Sequence, residues 1–186
     1  MKIYMSNIER TNDITDMERK LSKSELAQYN KFNNKTRKKQ YLVGHAIVKD
    51  VCGENVQTDE NGAPYLNNGF ISIAHKDNFV IVAISDEKVG IDIENTTVQR
   101  DFVAQSELLG LPKTRSLWDF YKEFVRYESK LKFGNDTQKY SQYFYKLNNY
   151  IICITTTDDE IQFINYDESF SDASGLVQFL CAENGK

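Results

Sequence analysis

Four things are scarce in this sequence, and each scarcity removes a class of function. No apolar run approaches the roughly 20 residues a membrane-spanning helix needs, and the opening Met1-Lys2-Ile3-Tyr4-Met5 alternates like a strand rather than a signal peptide. The expectation is a cytoplasmic protein with no membrane partner. Cysteine is limited to Cys52, Cys153 and Cys181, an odd and widely spaced set in apolar surroundings such as Ile151-Ile152-Cys153-Ile154. Such a set argues against a disulfide framework or a zinc site and for buried, reduced thiols. The net charge is only -4 over 186 residues, which gives bulk electrostatic binding of nucleic acid no basis. Histidine occurs only at His45 and His75, so a metal centre built on histidine is not expected either.

What is present is an ordinary globular composition, 40% hydrophobic and 27% charged, sufficient for a buried core in one large domain or two small ones. Ser22-Lys23-Ser24-Glu25 has the form of a capping box and predicts a helix to about Lys31. A second helix carries Tyr41, Leu42, His45, Ala46, Ile47 and Val48 at three-and-four spacing. After the turn Asn61-Gly62-Ala63-Pro64, the runs 70–74, 79–84 and 89–93 read as three short strands, an antiparallel meander. A helix from Leu117 to about Lys132 follows, striped with Phe120, Phe124, Tyr127 and Leu131, and then a three-strand meander near 142–147, 149–156 and 160–166. Helices then strands occur twice. The expected fold is therefore α+β, with two similar halves at 1–95 and 96–186 related by a pseudo-twofold, each a small mainly antiparallel sheet with helices, and a site in the cleft between them. The segment after Asp167 is left unassigned beyond a possible short helix.

Charge points to the same cleft. Lys31, Lys35, Arg37, Lys38, Lys39 and Lys49 cluster in one segment, whereas Asp86, Glu87, Asp92 and Glu94 come later. In Val89-Gly90-Ile91-Asp92-Ile93-Glu94 the strand period of two puts both carboxylates on one face. Paired carboxylates suit Mg²⁺, which keeps several waters and takes substrate phosphate oxygens as further ligands. An acidic, solvated edge strand accounts for the hexapeptide equally well. On the later helix Glu128 is followed at i+4 by Lys132, beside the apolar stripe; alone, that is a common surface pair, and next to Asp92 and Glu94 it offers a third carboxylate and a cation. His75 ends a strand beside Lys76, which suits contact with an anion or simply a turn. His45, between Gly44 and Ala46, reads as a satisfied histidine at the core border.

These pieces resemble a known family. Gly90-Ile91-Asp92-Ile93-Glu94 is similar to the G-[IV]-D-x-E motif of phosphopantetheinyl transferases, and Phe124-Val125-Arg126-Tyr127-Glu128-Ser129-Lys130-Leu131-Lys132 to their W-x-x-K-E-[AS]-x-x-K helix. Gly62-Ala63-Pro64-Tyr65-Leu66 and Ser72-Ile73-Ala74-His75 resemble the G-K-P-x-[LF] and S-[IV]-S-H elements, and Arg37 to Lys49 the basic helix. The likeness covers roughly residues 35 to 135, in the family's order. A register using Lys122-Glu123 as the K-E pair puts Tyr127 at the final lysine and Asp119 at the aromatic, and is rejected. The chain departs from the motifs at Ala63, Ala74, Phe124 and Tyr127.

The resemblance, to the surfactin-type branch, implies Mg²⁺-dependent transfer of 4′-phosphopantetheine from coenzyme A to a serine of an acyl or peptidyl carrier protein, releasing adenosine 3′,5′-bisphosphate. By it, Asp92, Glu94 and Glu128 hold the metal, Glu128 and Lys132 are catalytic, and Arg37, His75 and Lys132 bind coenzyme A. It also implies a monomer. The acidic carrier would dock on the basic residues between Lys31 and Lys49 or on the face after Arg115. Two rivals remain at this stage. A homologue that binds coenzyme A or a carrier without transfer fits the departures, and a metal-dependent phosphohydrolase uses the same acids with water.

Overall fold

The computed structural model describes residues 1–11, 14–60, 62–134, 139–168 and 171–185. The chain opens with β1 (Lys2–Asn7), followed by three helices: α1 (Ile14–Lys20), α2 (Lys23–Lys31) and α3 (Lys35–Cys52). The capping box forms as expected, with Ser22 N–H donating to Glu25 Oε2 at 2.7 Å and Ser22 Oγ accepting from Glu25 N–H at 3.3 Å. Asn34 caps α3 in the same manner, accepting from Arg37 N–H at 2.8 Å. A small ribbon, β2 (Gln57–Thr58) and β3 (Pro64–Tyr65), surrounds the expected turn, of which Asn61 lies outside the described residues.

The next strands are β4 (Phe70–Lys76), β5 (Phe79–Ser85) and β6 (Val89–Asn95). Helices α4 (Phe102–Leu109) and α5 (Leu117–Phe133) lead to β7 (Ser141–Leu147), β8 (Tyr150–Thr156), β9 (Gln162–Asn165), β10 (Ser171–Asp172) and β11 (Gln178–Asn184). The fold is α+β. Its sheets are mostly antiparallel, with β10-β9-β1-β5-β4 in one and β11-β7-β8-β6 in the other; the parallel pair is β1 with β9. No described helix is long and apolar enough to cross a membrane.

Side-chain alternation stacks these parts in layers. Val80 and Val82 of β5 pack with Val43 and Ile47 of α3, while Ile81 and Ala83 point the other way and meet Ile91, Ile93, Ile152 and Ile154 of the second sheet. On β8, Ile151 and Cys153 face Phe120 and Val125 of α5. The order is helix, sheet, sheet, helix, with three apolar clusters between the layers. One connection scheme occurs twice. The sequence β1, α3, β4, β5 gives the order β1-β5-β4, and β6, α5, β7, β8 gives β6-β8-β7. Both hairpins turn in two residues whose first has positive φ, Asp77 at 50° and Asn148 at 53°.

Two expectations about strand neighbours need correction. β6 is not the third strand of a meander with β4 and β5; it pairs with β8, from Val89 opposite Thr156 to Asn95 opposite Tyr150. The strand near 160–166 does not extend the β7–β8 hairpin but runs parallel beside β1, Lys2 opposite Gln162. A division at residue 95 therefore does not follow the sheets, because β6 belongs with the later strands and β9 with the earliest. Apolar alternation identifies a strand without naming its neighbour, and both strands found apolar faces outside their local hairpin. The tail is no helix beyond a single turn at Ser174–Leu176; it forms β11 against β7, and Ser169 and Phe170 of that tail lie outside the described residues. Helices α1 and α4, seven and eight residues long, have no expectation to match.

Candidate active site

The site begins with a glycine. A Cβ on Gly90 would collide with the Ser129 carbonyl oxygen and the Phe133 nitrogen of α5, so only glycine lets that helix lie directly on β6. Two residues further along the strand Asp92 rises under the same helix, and Lys132 Nζ reaches its Oδ1 at 2.8 Å and the Ile91 carbonyl at 3.0 Å. Lys132 spends its charge on Asp92 rather than on Glu128, its i−4 neighbour. Ile91 and Ile93 point into the core between the sheets, as the strand period requires.

Neither carboxylate of β6 is solvated: Asp92 and Glu94 are each 9% exposed, which removes the reading as a solvated acidic edge. Asp92 Oδ2 is buried without a hydrogen-bond partner. Burial pushes the Asp92 pKa up to about 6, and Glu94 and Glu128 push the same way against the pull of Lys132. An unmatched buried carboxylate oxygen has an unmet demand for a cation or a proton. Glu94 meets its own demand with Lys76 Nζ at 2.6 Å and Arg100 Nη2 at 3.3 Å. The Arg100 guanidinium is held over the rings of Tyr121 and Phe124 at 5.4 and 5.6 Å. Glu128 is half-buried and has no ion pair among the described residues. Nor, among those residues, do three or more His, Cys, Asp or Glu side chains converge into a ready metal-binding group.

His75 lies on β4, whose edge adjoins β6: Ile91 N–H donates to Ser72 Oγ at 3.0 Å. Burial first, then the nearby charges of Arg37, Lys132 and Lys76, hold the His75 pKa down to about 4, so the ring is neutral at neutral pH. Lys132 acts on both groups, ion-paired with Asp92 and near enough to His75 for its charge to lower that pKa. From His75 a cleft of about 920 Å³ extends over α2, α3 and the β2–β3 ribbon. Arg37 lines it from the first turn of α3, its guanidinium 5.0 Å from the ring centre of Phe32.

No family model matches this chain, and no curated protein does.

The structure thus joins Asp92 and Glu94 on β6 with Lys132 on α5, while the charge of Glu128 reaches Asp92 and those of Arg37 and Lys132 reach His75. Several members were not legible in the sequence. Lys76 and Arg100 answer Glu94 from other elements, and His45 is tied through Nδ1 to the buried Glu25 carboxylate at 2.8 Å. Asn55 Nδ2 and Val56 N–H also donate to Glu25, at 2.6 and 3.0 Å. Burial opposes the Glu25 charge, but hydrogen bonds from His45 and Ser22 prevail and hold its pKa to about 2. His45 is indeed a satisfied histidine, yet it also lines the cleft, with Tyr41 stacked on it at 3.8 Å.

Proposed function

We propose that this protein transfers 4′-phosphopantetheine from coenzyme A to a serine of an acyl or peptidyl carrier protein, releasing adenosine 3′,5′-bisphosphate. The observation that carries this reading is the buried, unpartnered Oδ2 of Asp92, a residue held by Lys132, whose charge also reaches His75 on the wall of the cleft that Arg37 lines. An oxygen so placed fits a divalent cation, and Asp92, Glu94 and Glu128 are the residues that would hold Mg²⁺. The metal, when bound, supplies neutralisation of the pyrophosphate charge. Everything else is the work of side chains. Arg37 presents a fork to one phosphate, and neutral His75 donates a hydrogen bond without competing for that charge. Lys132, already fixed between Asp92 and the Ile91 carbonyl, faces the oxygen that leaves. Glu128, free of ion pairs among the described residues, accepts the proton of the attacking serine hydroxyl.

The repeated strand, helix and hairpin connection supports two related halves; a site along their seam, a monomeric state and a cytoplasmic location belong to the same proposal. The test is the intact mass of apo carrier proteins incubated with this protein, coenzyme A and Mg²⁺. The expected outcome is a gain of one phosphopantetheine on a carrier, lost with Glu128→Gln. A second reading, binding of coenzyme A or a carrier without transfer, is favoured by the ion pairs that already answer Asp92 and Glu94. It predicts coenzyme A binding with no mass gain on any carrier.

A further inference from the structure

Charge is distributed unevenly along the cleft. Among the described residues that line it, the only fixed cation is Arg37 and the only fixed anion is Glu25. Three further lysines lie outside the lining and are engaged: Lys132 with Asp92, Lys76 with Glu94, and Lys38 over the Tyr29 ring at 4.3 Å. Lys132 and Lys76 act on His75. Glu25 belongs to the opposite wall, on α2, and Tyr41 feels both Glu25 and Arg37. Glu25 and His45 together add no net positive charge even with the imidazole protonated, while the Phe32 and Tyr41 rings, 5.2 Å apart, offer an apolar shelf. Arg37 stands over the Phe32 ring, so a ligand fitted to this cleft sets one phosphate beside that shelf and meets no second lining cation towards Glu25.

Coenzyme A carries a pyrophosphate and, separately, a phosphate on the ribose 3′ oxygen. The described lining offers one cation, Arg37, for the two. We infer that the cleft does not recognise a 3′-phosphate, so that dephospho-coenzyme A serves as phosphopantetheine donor at least as well as coenzyme A. This rests on the transferase reading above. In the reaction the carrier serine Oγ forms a bond to the phosphorus bearing pantetheine, and the bond from that phosphorus to the bridging oxygen breaks. AMP leaves with the bonding electron pair, and the serine proton passes to Glu128.

The experiment compares kcat/KM for the two donors on one carrier, with direct calorimetric binding of each donor in parallel. Dephospho-coenzyme A within threefold of coenzyme A, or better, is the expected result. Coenzyme A favoured by more than threefold in both measurements overturns the inference and leaves the transferase reading intact. Equal binding with no transfer of either supports the cleft assignment and removes the transferase reading; binding of neither removes both. Glu25 is too deeply hydrogen-bonded to be a safe probe, so the second arm adds a cation at an exposed position on its wall. Gln28→Lys and Ser24→Lys are expected to raise coenzyme A use relative to dephospho-coenzyme A by about threefold to fivefold, the effect of one partly solvated ion pair. An unmoved ratio overturns the placement of the adenosine end beside α2.

Discussion

Asp92 is held against its own stability. Its pKa rises from an ordinary 3.8 to about 6, so ionising it costs stability as pH climbs through 6 and costs nothing below 4. Asp92→Asn is expected to raise stability at pH 8 by about 1–2 kcal/mol, after allowing for the weakened tie to Lys132, and to abolish transfer. Chemical denaturation at pH 8 and pH 4 checks this, the gain vanishing at the lower pH. Glu25 has the opposite sign, its pKa falling from 4.5 to about 2, so its contribution is present above pH 4.5 and lost as pH falls towards 2. Glu25→Gln should cost about 2–3 kcal/mol at pH 7, a difference that shrinks below pH 3 in acid titration of the two proteins. Asp92 stood out in the sequence because its partner in the pattern, Glu94, is two residues away. Glu25 stood out only as a capping-box residue, because each donor that holds it except Ser22 is 20 or more residues distant.

At the scale of elements, the contact that makes the site is α5 lying on β6 at Gly90. Gly90→Ala leaves strand propensity unharmed yet must push two backbones apart, and overpacking of this kind costs about 1–3 kcal/mol or more. The expected outcome is a lowered Tm together with loss of activity beyond the stability loss, since Lys132 moves away from Asp92; thermal melts and kcat measured well below Tm separate the two. The helices α2, α3 and α5 were legible from the capping box and the apolar stripes, as were β1 and the strands β4 to β9 from alternation, whereas β2, β3, β10 and β11 were not. The glycine appeared in the sequence only as a motif position. Its purpose depends on which helix covers it, and no local pattern carries that information.

At the scale of the molecule, neither sheet is made from one stretch of chain. β9 completes the first from the late sequence, and β6 belongs to the second although it follows directly on β5. A fragment of residues 1–95 therefore lacks β8 to pair with β6 and β9 to flank β1. It is expected to be unfolded by circular dichroism and amide NMR, whereas co-expression with residues 96–186 restores structure. A folded 1–95 fragment would contradict the layered arrangement. The long-range pairing also explains what the sequence could not disclose, since hydrophobic alternation is a property of one strand and adjacency a property of two.

The position of β1 sets a schedule for synthesis. It forms between β5 and β9, and β9 leaves the ribosome some 158 residues after β1, a delay of roughly ten to thirty seconds at usual elongation rates. During that interval the strand has one bare edge beside an incomplete core, the state in which a nascent chain is most exposed to chaperones and to aggregation. Slow codons placed before residue 162 would lengthen that window, and a lower soluble yield is the price.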